Sequence, residues 1–236
     1  MQILHSQDLN EILNSNEIRL FQKLQKSISE INKNTNLTRL VEGDDYWISQ
    51  VYDSIWPFYL SPNKILDGKK FIDIGSGCGF PGLAYAITHP NSEVYLVDSS
   101  RKKTDALKQI IEDLNFSNNI FVINDRIENI AHNASYRNNF DIGTTRAVGP
   151  PSTVAEYILP MLNRSGLGLL YCGKWEKKDE VKIKNSLEIL KGSIADIKKT
   201  QLPNRKGDRN IIFIKPEQNC PDSYPRGIGK PAKYPL

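Results

Sequence analysis

The sequence has few residues of the kinds that hold metals or disulfides, and it has no long apolar run. Its three cysteines, Cys78, Cys172 and Cys220, lie far apart among 236 residues. Their spacing and odd number argue against a zinc site of the C-x-x-C kind and against a disulfide framework. No apolar run approaches the roughly 20 residues that a membrane-spanning helix needs. The first 16 residues lack the pattern of a secretory signal. We therefore expect a cytoplasmic protein without a metal and without membrane contact.

The total charge is small, but the charge is unevenly distributed. The formal net charge is +4, whereas residues 198–236 contain nine Lys or Arg and three Asp or Glu, a net of +6. The rest of the chain is therefore slightly acidic. A basic end favours an anionic partner there, although a solubilising tail would have the same composition.

Apolar spacing divides the chain into three segments. Residues 1–60 are predicted to be a helical appendage, with one helix over 7–34 and a second that begins at Asp44 or Asp45 and ends or kinks at Pro57. This segment has too little apolar surface to fold alone. Residues 61–215 form the main domain. Residues 216–236 contain five prolines and two glycines, so we expect an extended or disordered arm without a helix.

From residue 70, short apolar runs alternate with helical patterns. Helices are predicted from near Pro81, after Ser99 or Ser100, over 151–162 and over 176–190. Strands are predicted at 70–74, 93–97, 120–123, 140–144, 167–171, about 194–202 and 210–214. This alternation predicts an α/β fold, an open, mostly parallel seven-stranded sheet with helices on both faces.

The first predicted strand is followed by a glycine-rich turn. Asp73 precedes alternate glycines at Gly75, Gly77 and Gly79, and Phe80 occupies the third position of a dinucleotide fingerprint. Pro81 removes a donor that a pyrophosphate would use. S-adenosylmethionine has no phosphate and needs close backbone approach, which these glycines allow. An ordinary strand–helix turn would also contain glycine, but the accompanying acids favour a cofactor site.

Two further strand ends border the same crevice. Asp98 closes the second strand and can accept both ribose hydroxyls of S-adenosylmethionine, although alone it would also fit a helix cap. Ile127 and Glu128 follow the third strand and can form an adenine slot. A helix start with a solvent-facing charge would explain Glu128 equally well.

These residues carry a resemblance to a known family. The stretch from Asp73 to Gly82, with Phe-Pro-Gly after the last loop glycine, then Val97-Asp98-Ser99 and Thr145-Arg146-Ala147, resembles the bacterial small-subunit (16S) ribosomal RNA guanine-N7 methyltransferases, the RsmG or GidB family. The similarity extends to Asp53-Ser54 and to the C-terminal end. Gln50 stands where the family usually has histidine. The fifth strand ends in Cys172-Gly173-Lys174 instead of Leu-Lys-Gly.

The resemblance implies a fold, a cofactor and a reaction. The fold is that of class I S-adenosylmethionine-dependent methyltransferases, which is Rossmann-like. The product is S-adenosylhomocysteine, and the partner is small-subunit ribosomal RNA or the ribosomal subunit. The cofactor contacts fall on Gly75, Phe80, Asp98, Ser99, Ser100, Ile127, Glu128 and Arg146.

The substrate side of the site follows from the chemistry of guanine. N7 has a free lone pair and carries no proton, so methyl transfer to it needs no general base. Arg146, at the end of the fourth strand, is expected to position the base by stacking or by phosphate contact, unless it pairs with Asp141 or Glu128. Lys174 is a weaker candidate. RNA is expected to be held by Arg205, Lys206, Arg209, Arg226, Lys230 and Lys233.

Several alternatives remain at this point. A methyltransferase of this fold could act on a protein or a small molecule, and a catalytically silent RNA-binding homologue would keep the same residues. An NAD(P)-dependent oxidoreductase is disfavoured by Phe80 and Pro81. We expect a monomer.

Overall fold

The computed structural model describes residues 9–59, 68–116 and 119–236. The predicted start of the first helix and most of the predicted connection over 61–70 lie outside these ranges. The helices are α1 (Leu9–Ile12), α2 (Ser15–Thr35), α3 (Gly43–Tyr46), α4 (Asp53–Tyr59), α5 (Gly82–Thr88), α6 (Arg101–Leu114), α7 (Ile127–Ile130), α8 (Pro151–Ile158), α9 (Lys177–Ile189) and α10 (Lys230–Lys233). The strands are β1 (Lys70–Ile74), β2 (Glu93–Val97), β3 (Ile120–Ile123), β4 (Phe140–Arg146), β5 (Leu162–Cys172), β6 (Gly192–Gln201) and β7 (Asp208–Pro216).

The seven strands form one sheet in the order β3-β2-β1-β4-β5-β7-β6. β7 runs antiparallel to both of its neighbours, and the remaining pairs are parallel. The prediction of a mostly parallel seven-stranded sheet is therefore confirmed. The chain order reverses between β1 and β4, where Ile74 lies opposite Thr145. Ligands of open α/β sheets bind at such a reversal, outside the carboxyl ends of the strands.

The N-terminal helices pack on the sheet domain. Phe21, Leu24 and Ile28, on the predicted apolar stripe of α2, are buried in the same hydrophobic cluster as residues of α5 and α6. The Ser27 hydroxyl donates to the Asp113 carboxylate of α6 at 2.6 Å. The helical segment therefore gains its core from the domain that follows it, as its composition predicted.

Several predicted helix boundaries in this segment are wrong. The first helix is interrupted before Ser15, because Asn14 and Glu17 form a capping box that starts α2. α3 begins at Gly43, and neither Asp44 nor Asp45 caps it. A π-helical turn over Trp47–Tyr52 joins α3 to α4, and Pro57 lies inside α4. The residues around Pro57 are buried, so tertiary packing outweighs its local preference here.

Other boundaries shift in the sheet domain. β5 begins at Leu162 instead of Leu167, because α8 is shorter than predicted and a 3₁₀ turn over 159–161 leads directly into the strand. β4 extends to Arg146, which brings that residue to the strand's carboxyl end.

The C-terminal arm is ordered on the domain surface and contains a helix, which corrects the prediction for residues 216–236. Gly229 adopts φ 75° and starts α10, and Pro231 occupies an early helical position where its missing N–H costs nothing. Arg137 donates to the carbonyls of Cys220, Pro221 and Tyr224 at 2.8–3.0 Å. The body of the protein thus supplies the donors that an isolated proline-rich segment would lack.

The strongest tie of the arm is an ion pair between Arg226 and Glu156. Glu156 is fully buried in α8, and its carboxylate accepts from the Arg226 guanidinium at 2.7–3.2 Å and from the Arg226 backbone N–H at 2.7 Å. The same guanidinium donates to the Tyr234 carbonyl at 2.7 Å. Arg226 therefore holds the arm against the domain by binding both Glu156 and the Tyr234 carbonyl.

We expect Arg226→Ala to lower the free energy of unfolding by about 3 kcal/mol, because it leaves a buried carboxylate without its cation. Urea denaturation followed by circular dichroism measures this change. The exposed Lys233→Ala is the matched control and should change stability by less than about 0.5 kcal/mol. In an E156Q background the Arg226→Ala effect should shrink below about 1 kcal/mol; an undiminished effect would assign the loss to packing instead of the ion pair.

Candidate cofactor and substrate site

The glycine turn after β1 has the backbone conformation that its glycines allow. Gly75, Gly77 and Gly79 have φ values of 76°, 57° and 100°, in the left-handed region that other residues rarely adopt. The N–H groups of Gly75 and Ser76 donate to the Val97 carbonyl of β2 at 2.8 and 3.0 Å. The turn is therefore fixed across two strand ends.

Asp73 lies beneath this turn. Its carboxylate is fully buried, accepts from the Gly82 N–H at 3.1 Å and accepts from the Thr144 hydroxyl at 2.9 Å. The Ser76 hydroxyl donates to its carbonyl at 2.9 Å. Burial raises the pKa of Asp73 from 3.8 to about 6, although both hydrogen bonds and the charge of Arg146 act in the opposite direction. The carboxylate supports the turn from behind.

Asp98 joins the same turn to α6. Its side chain is buried and accepts from the Gly77 N–H at 3.0 Å and from the Ser100 N–H at 2.9 Å. Lys103 Nζ lies 3.8 Å from the carboxylate. Each carboxylate oxygen has two acceptor sites, so these bonds leave capacity for ribose hydroxyls.

A cavity of 280 Å³, the first cavity, opens between the ends of β1, β2 and β3. Its polar residues include Asp98, Ser99 and Glu128, and its apolar residues include Ile74, Val97 and Ile127. Predicted cofactor residues that line it are Gly75, Asp98, Ser99, Ile127 and Glu128. Lys103, Val148, Tyr157 and Ala232 also line it and were not predicted.

Glu128 connects the first cavity to the C-terminal arm. Its side chain is buried, so the alternative that Glu128 faces solvent at a helix start is wrong. Its carboxylate accepts from the Gly229 N–H at 3.0 Å and from the Tyr157 hydroxyl at 3.4 Å. The arm's Ala232 lies on the same cavity wall. The arm therefore forms part of the predicted adenine slot.

A second cavity, of 470 Å³, lies on the other side of the glycine turn. It shares Gly75, Lys103 and Ala147 with the first cavity. Its walls include the predicted residues Gly75, Gly77, Phe80, Arg146 and Arg209. They also include Leu37, Thr38, Ser49, Gln50, Asp53 and Tyr171, which come from the N-terminal segment and β5. The two cavities therefore adjoin each other at the glycine turn.

Arg146 crosses from β4 to the N-terminal segment. Its guanidinium donates to the Ser49 carbonyl at 3.0 Å and to the Gln50 side-chain oxygen, and it lies 3.3 Å from the Asp53 carboxylate. It also lies 5.8 Å from the centre of the Phe80 ring. The alternative partners considered from the sequence, Asp141 and Glu128, are therefore wrong, and the ion-pair partner is Asp53.

The remaining predicted site residues lie away from the two cavities. Asp73, Gly79 and Ser100 line neither cavity; a Cβ at Gly79 would overlap Leu83, so this glycine allows close packing of α5. Lys174 is largely exposed and pairs with Glu176 at 2.5 Å.

The six predicted RNA contacts divide into two groups. Arg205 and Lys206 lie between β6 and β7, where Lys206 pairs with Asp45 at 2.6 Å, whereas Arg209 lies in β7 and lines the second cavity. Lys230 and Lys233 are exposed on α10, whereas Arg226 is engaged by Glu156.

Two residues of the second cavity that the sequence analysis did not predict, Asp53 and Gln50, could have been found from the family resemblance. Asp53 belongs to the Asp-Ser pair of the resemblance, and Gln50 stands at the family's usual histidine. No sequence pattern indicated Tyr157 or Ala232, because these residues reach the first cavity only through the packing of α8 and of the arm.

The residues present fit S-adenosylmethionine. The buried Asp98 carboxylate retains acceptor sites beside the first cavity, and the glycines leave backbone exposed at the junction of the two cavities. A Cβ at Gly77 would meet no side chain within 4 Å, so the turn is open on that side.

Comparison with known proteins identifies the family. The family model GidB, described as rRNA small subunit methyltransferase G, matches residues 17–212. The chain belongs to this family. Proteins named ribosomal RNA small subunit methyltransferase G are 63% identical in Prochlorococcus marinus strain MIT 9515, over 97% of this chain and 96% of that protein, and 44% identical in strain NATL1A, over 93% and 89%.

Solved structures agree on the fold. Cofactor-bound Rv0187 from MTB superimposes with a TM-score of 0.58 and 14% identity, covering 92% of this chain and 100% of that one. P. horikoshii TYW2 in complex with MeSAdo gives a TM-score of 0.56 and 9% identity, over 72% and 64% of the two chains. At such identities the likeness shows the fold alone.

This GidB-family chain is an S-adenosylmethionine-dependent methyltransferase that acts on small-subunit ribosomal RNA. The predictions of fold, family, enzyme class and cofactor are confirmed at that level. Among the described helices, none is long and apolar enough to cross a bilayer.

Asp73→Asn tests the buried carboxylate beneath the turn. Because the folded-state pKa exceeds the ordinary value, this group's contribution to stability is fully present below pH 3.8 and is lost as the pH rises to about 6. At neutral pH the buried charge therefore costs about 3 kcal/mol. Asparagine can accept from Gly82 N–H and donate to a rotated Thr144 hydroxyl, so we expect D73N to be at least as stable as the wild type at pH 8.

Urea denaturation from pH 4 to pH 8 measures this prediction, with the exposed Asp105→Asn as the control that keeps the wild-type profile. A D73N protein that is less stable than the wild type at pH 8 by more than about 1 kcal/mol would show that the ionised form is required.

Asp98→Ala tests the ribose assignment. Loss of a charged acceptor should weaken S-adenosylhomocysteine binding by about 1–3 kcal/mol, which is roughly 5- to 150-fold in Kd. Isothermal titration calorimetry measures the affinity, and Asp105→Ala on the exposed face of α6 is the matched control. Unchanged affinity would show that Asp98 only caps the turn and the helix.

Proposed function

We propose that this methyltransferase transfers a methyl group from S-adenosylmethionine to N7 of a guanine in small-subunit ribosomal RNA, acting as a cytoplasmic monomer. The observation that supports the proposal most directly is the second cavity. It adjoins the first cavity at Gly75 and Ala147 and has two arginines, Arg146 and Arg209, in its walls. A base that enters it would meet the cofactor at the glycine turn.

The chemistry at N7 requires alignment more than proton transfer. The sulfonium of S-adenosylmethionine supplies an electrophilic methyl group. The N7 lone pair attacks the methyl carbon, the N–C bond forms as the S–C bond breaks, and the positive charge passes to the purine ring. No proton leaves in this step. His89 and His132, the two histidines within the described residues, line neither cavity, which agrees with a reaction that needs no base.

The chain's own residues supply orientation and exclusion of water. The glycine turn holds its backbone in one conformation because Asp73 and Asp98 bind its N–H groups and those next to it. Phe80 forms an apolar wall of the second cavity, and Arg146 lies over its ring. A base held between such walls is brought to the reactive carbon with little reorganisation.

RNA would be held by phosphate contacts outside the cavities. Arg205 is exposed between β6 and β7, and Lys230 and Lys233 are exposed on the arm. Counterion release from such contacts predicts an affinity that falls steeply with salt.

Methylation mapped to a single base tests the proposal. Small-subunit ribosomal RNA and intact small subunits, both without prior modification, are incubated with the enzyme and methyl-labelled S-adenosylmethionine. We expect label at one guanine, where borohydride reduction and aniline then cleave the chain, because that chemistry is specific for N7-methylguanine. Lys174→Ala should retain wild-type activity, since the exposed Lys174 side chain pairs with Glu176 and lines neither cavity. Label in protein, or in RNA that aniline does not cleave, would overturn the proposal.

A further inference from the structure

Asp53 is the one carboxylate among the described residues that line the second cavity. It is the first residue of α4, and its side chain is 6% exposed. Two guanidinium groups flank it: Arg146 Nη1 lies 3.3 Å from one oxygen and Arg209 Nε lies 3.2 Å from the other. Arg146 donates a hydrogen bond to this buried carboxylate, whereas Arg209 is attracted to it by charge, so Asp53 orients Arg146 more strictly than Arg209.

Three acceptors of the N-terminal segment hold Arg146. They are the Ser49 carbonyl, the Gln50 side-chain oxygen and the Asp53 carboxylate. Arginine has five N–H donors in a fixed planar arrangement. The three bonds therefore leave Nε–H and one Nη2–H without an acceptor among the residues that the structure describes, on a side chain that lines the second cavity.

The reaction limits which atoms of guanine can be recognised. Arginine commonly binds guanine through O6 and N7 together, but here the N7 lone pair must attack the methyl carbon. O6 is then the acceptor that remains on that edge of the base, directly beside N7. Arg146 contacts Phe80 of the glycine turn on one side and Asp53 on the other, so it lies next to the place where N7 must be.

We propose that Asp53 is a positioning residue that directs the free N–H donors of Arg146 at O6 of the target guanine and thereby selects guanine over adenine. This inference rests on the proposed function. Adenine presents an amino group at the same position, and that donor would face the donors of Arg146. Gln50 supports Arg146 in the same way and is held by its own donation to Thr38 at 3.2 Å.

Base analogues test the O6 contact in the wild-type enzyme. The methylated guanine is mapped first, and ribosomal RNA is then assembled by ligation with guanosine, inosine or 2-aminopurine riboside at that nucleotide. Inosine keeps O6 and lacks the 2-amino group, whereas 2-aminopurine keeps the amino group and lacks O6. All three keep N7. We expect kcat/KM for inosine within about threefold of guanosine and a fall of about 10- to 100-fold for 2-aminopurine.

Asp53→Asn tests the positioning role, since it removes the charge and keeps the shape. We expect the guanosine to 2-aminopurine ratio to fall below about 5-fold, while the Kd for S-adenosylhomocysteine changes less than threefold. Asp45→Asn is the matched control, because Asp45 pairs with Lys206 and lies outside both cavities. It should keep the wild-type ratio. A merely structural role of Asp53 would lower rates on guanosine and 2-aminopurine alike.

The outcomes separate the inference from the proposed function. If the wild type methylates guanine N7 but treats 2-aminopurine like guanosine, the O6 contact is refuted and the function stands. If inosine is the poor substrate, recognition is through the 2-amino group and the inference is again wrong. If D53N keeps the full wild-type ratio, Asp53 does not position Arg146. If no guanine N7 is methylated, the proposed function fails and the inference fails with it.

Discussion

The site depends on one buried carboxylate that binds three elements together. Asp73, at the end of β1, accepts from the N–H of Gly82 at the start of α5 and from the hydroxyl of Thr144 on β4. These bonds fix the glycine turn between β1 and α5 and align it with the neighbouring strand end. Burial makes this arrangement costly when the carboxylate is ionised, and the raised pKa of Asp73 records that cost. The turn is thus rigid at the expense of stability near neutral pH, which is a common relation at functional sites.

The two terminal segments complete the walls on opposite sides of this turn. The N-terminal helices bring Gln50 and Asp53 to Arg146, and the C-terminal arm brings Gly229 to Glu128. Each contact joins a charged side chain of one part of the chain to a distant part. Because unpaired buried charges are destabilising, these pairs also specify how the segments pack. The sheet domain, the N-terminal helices and the arm therefore all contribute to the walls of the two cavities, although their sequences differ in composition.

Sequence reasoning recovered what depends on local patterns and missed what depends on distant packing. The strand and helix alternation, the glycine turn and the position of Asp98 at a strand end follow from periodicity and from the backbone freedom of glycine. The structure has each of them, although the bounds of β4, α8 and β5 differ from the prediction. The prediction for the arm was wrong because its prolines and glycines give no information about Arg137 and Glu156, whose contacts with the arm span 83 and 70 residues of sequence. Arg146 was predicted as a site residue, but its partner Asp53 lies on another element and could not be chosen from sequence over Asp141 or Glu128.

Net charge on the surface is a poor guide to which cations meet RNA. Of the predicted RNA contacts, Arg226 pairs with the fully buried Glu156 carboxylate and Arg209 lies against Asp53. The positive charge of both is therefore neutralised within the protein. Lys206 pairs with Asp45, whereas Arg205, Lys230 and Lys233 are exposed and have no acidic partner among the described residues. Salt-dependent affinity should come from exposed cations, because paired ones release few counterions. Of the two paired arginines, Arg209 lines the second cavity and Arg226 holds the arm. The basic C-terminal segment therefore contains two kinds of cation, exposed ones without an acidic partner among the described residues and paired ones that hold the arm or line a cavity.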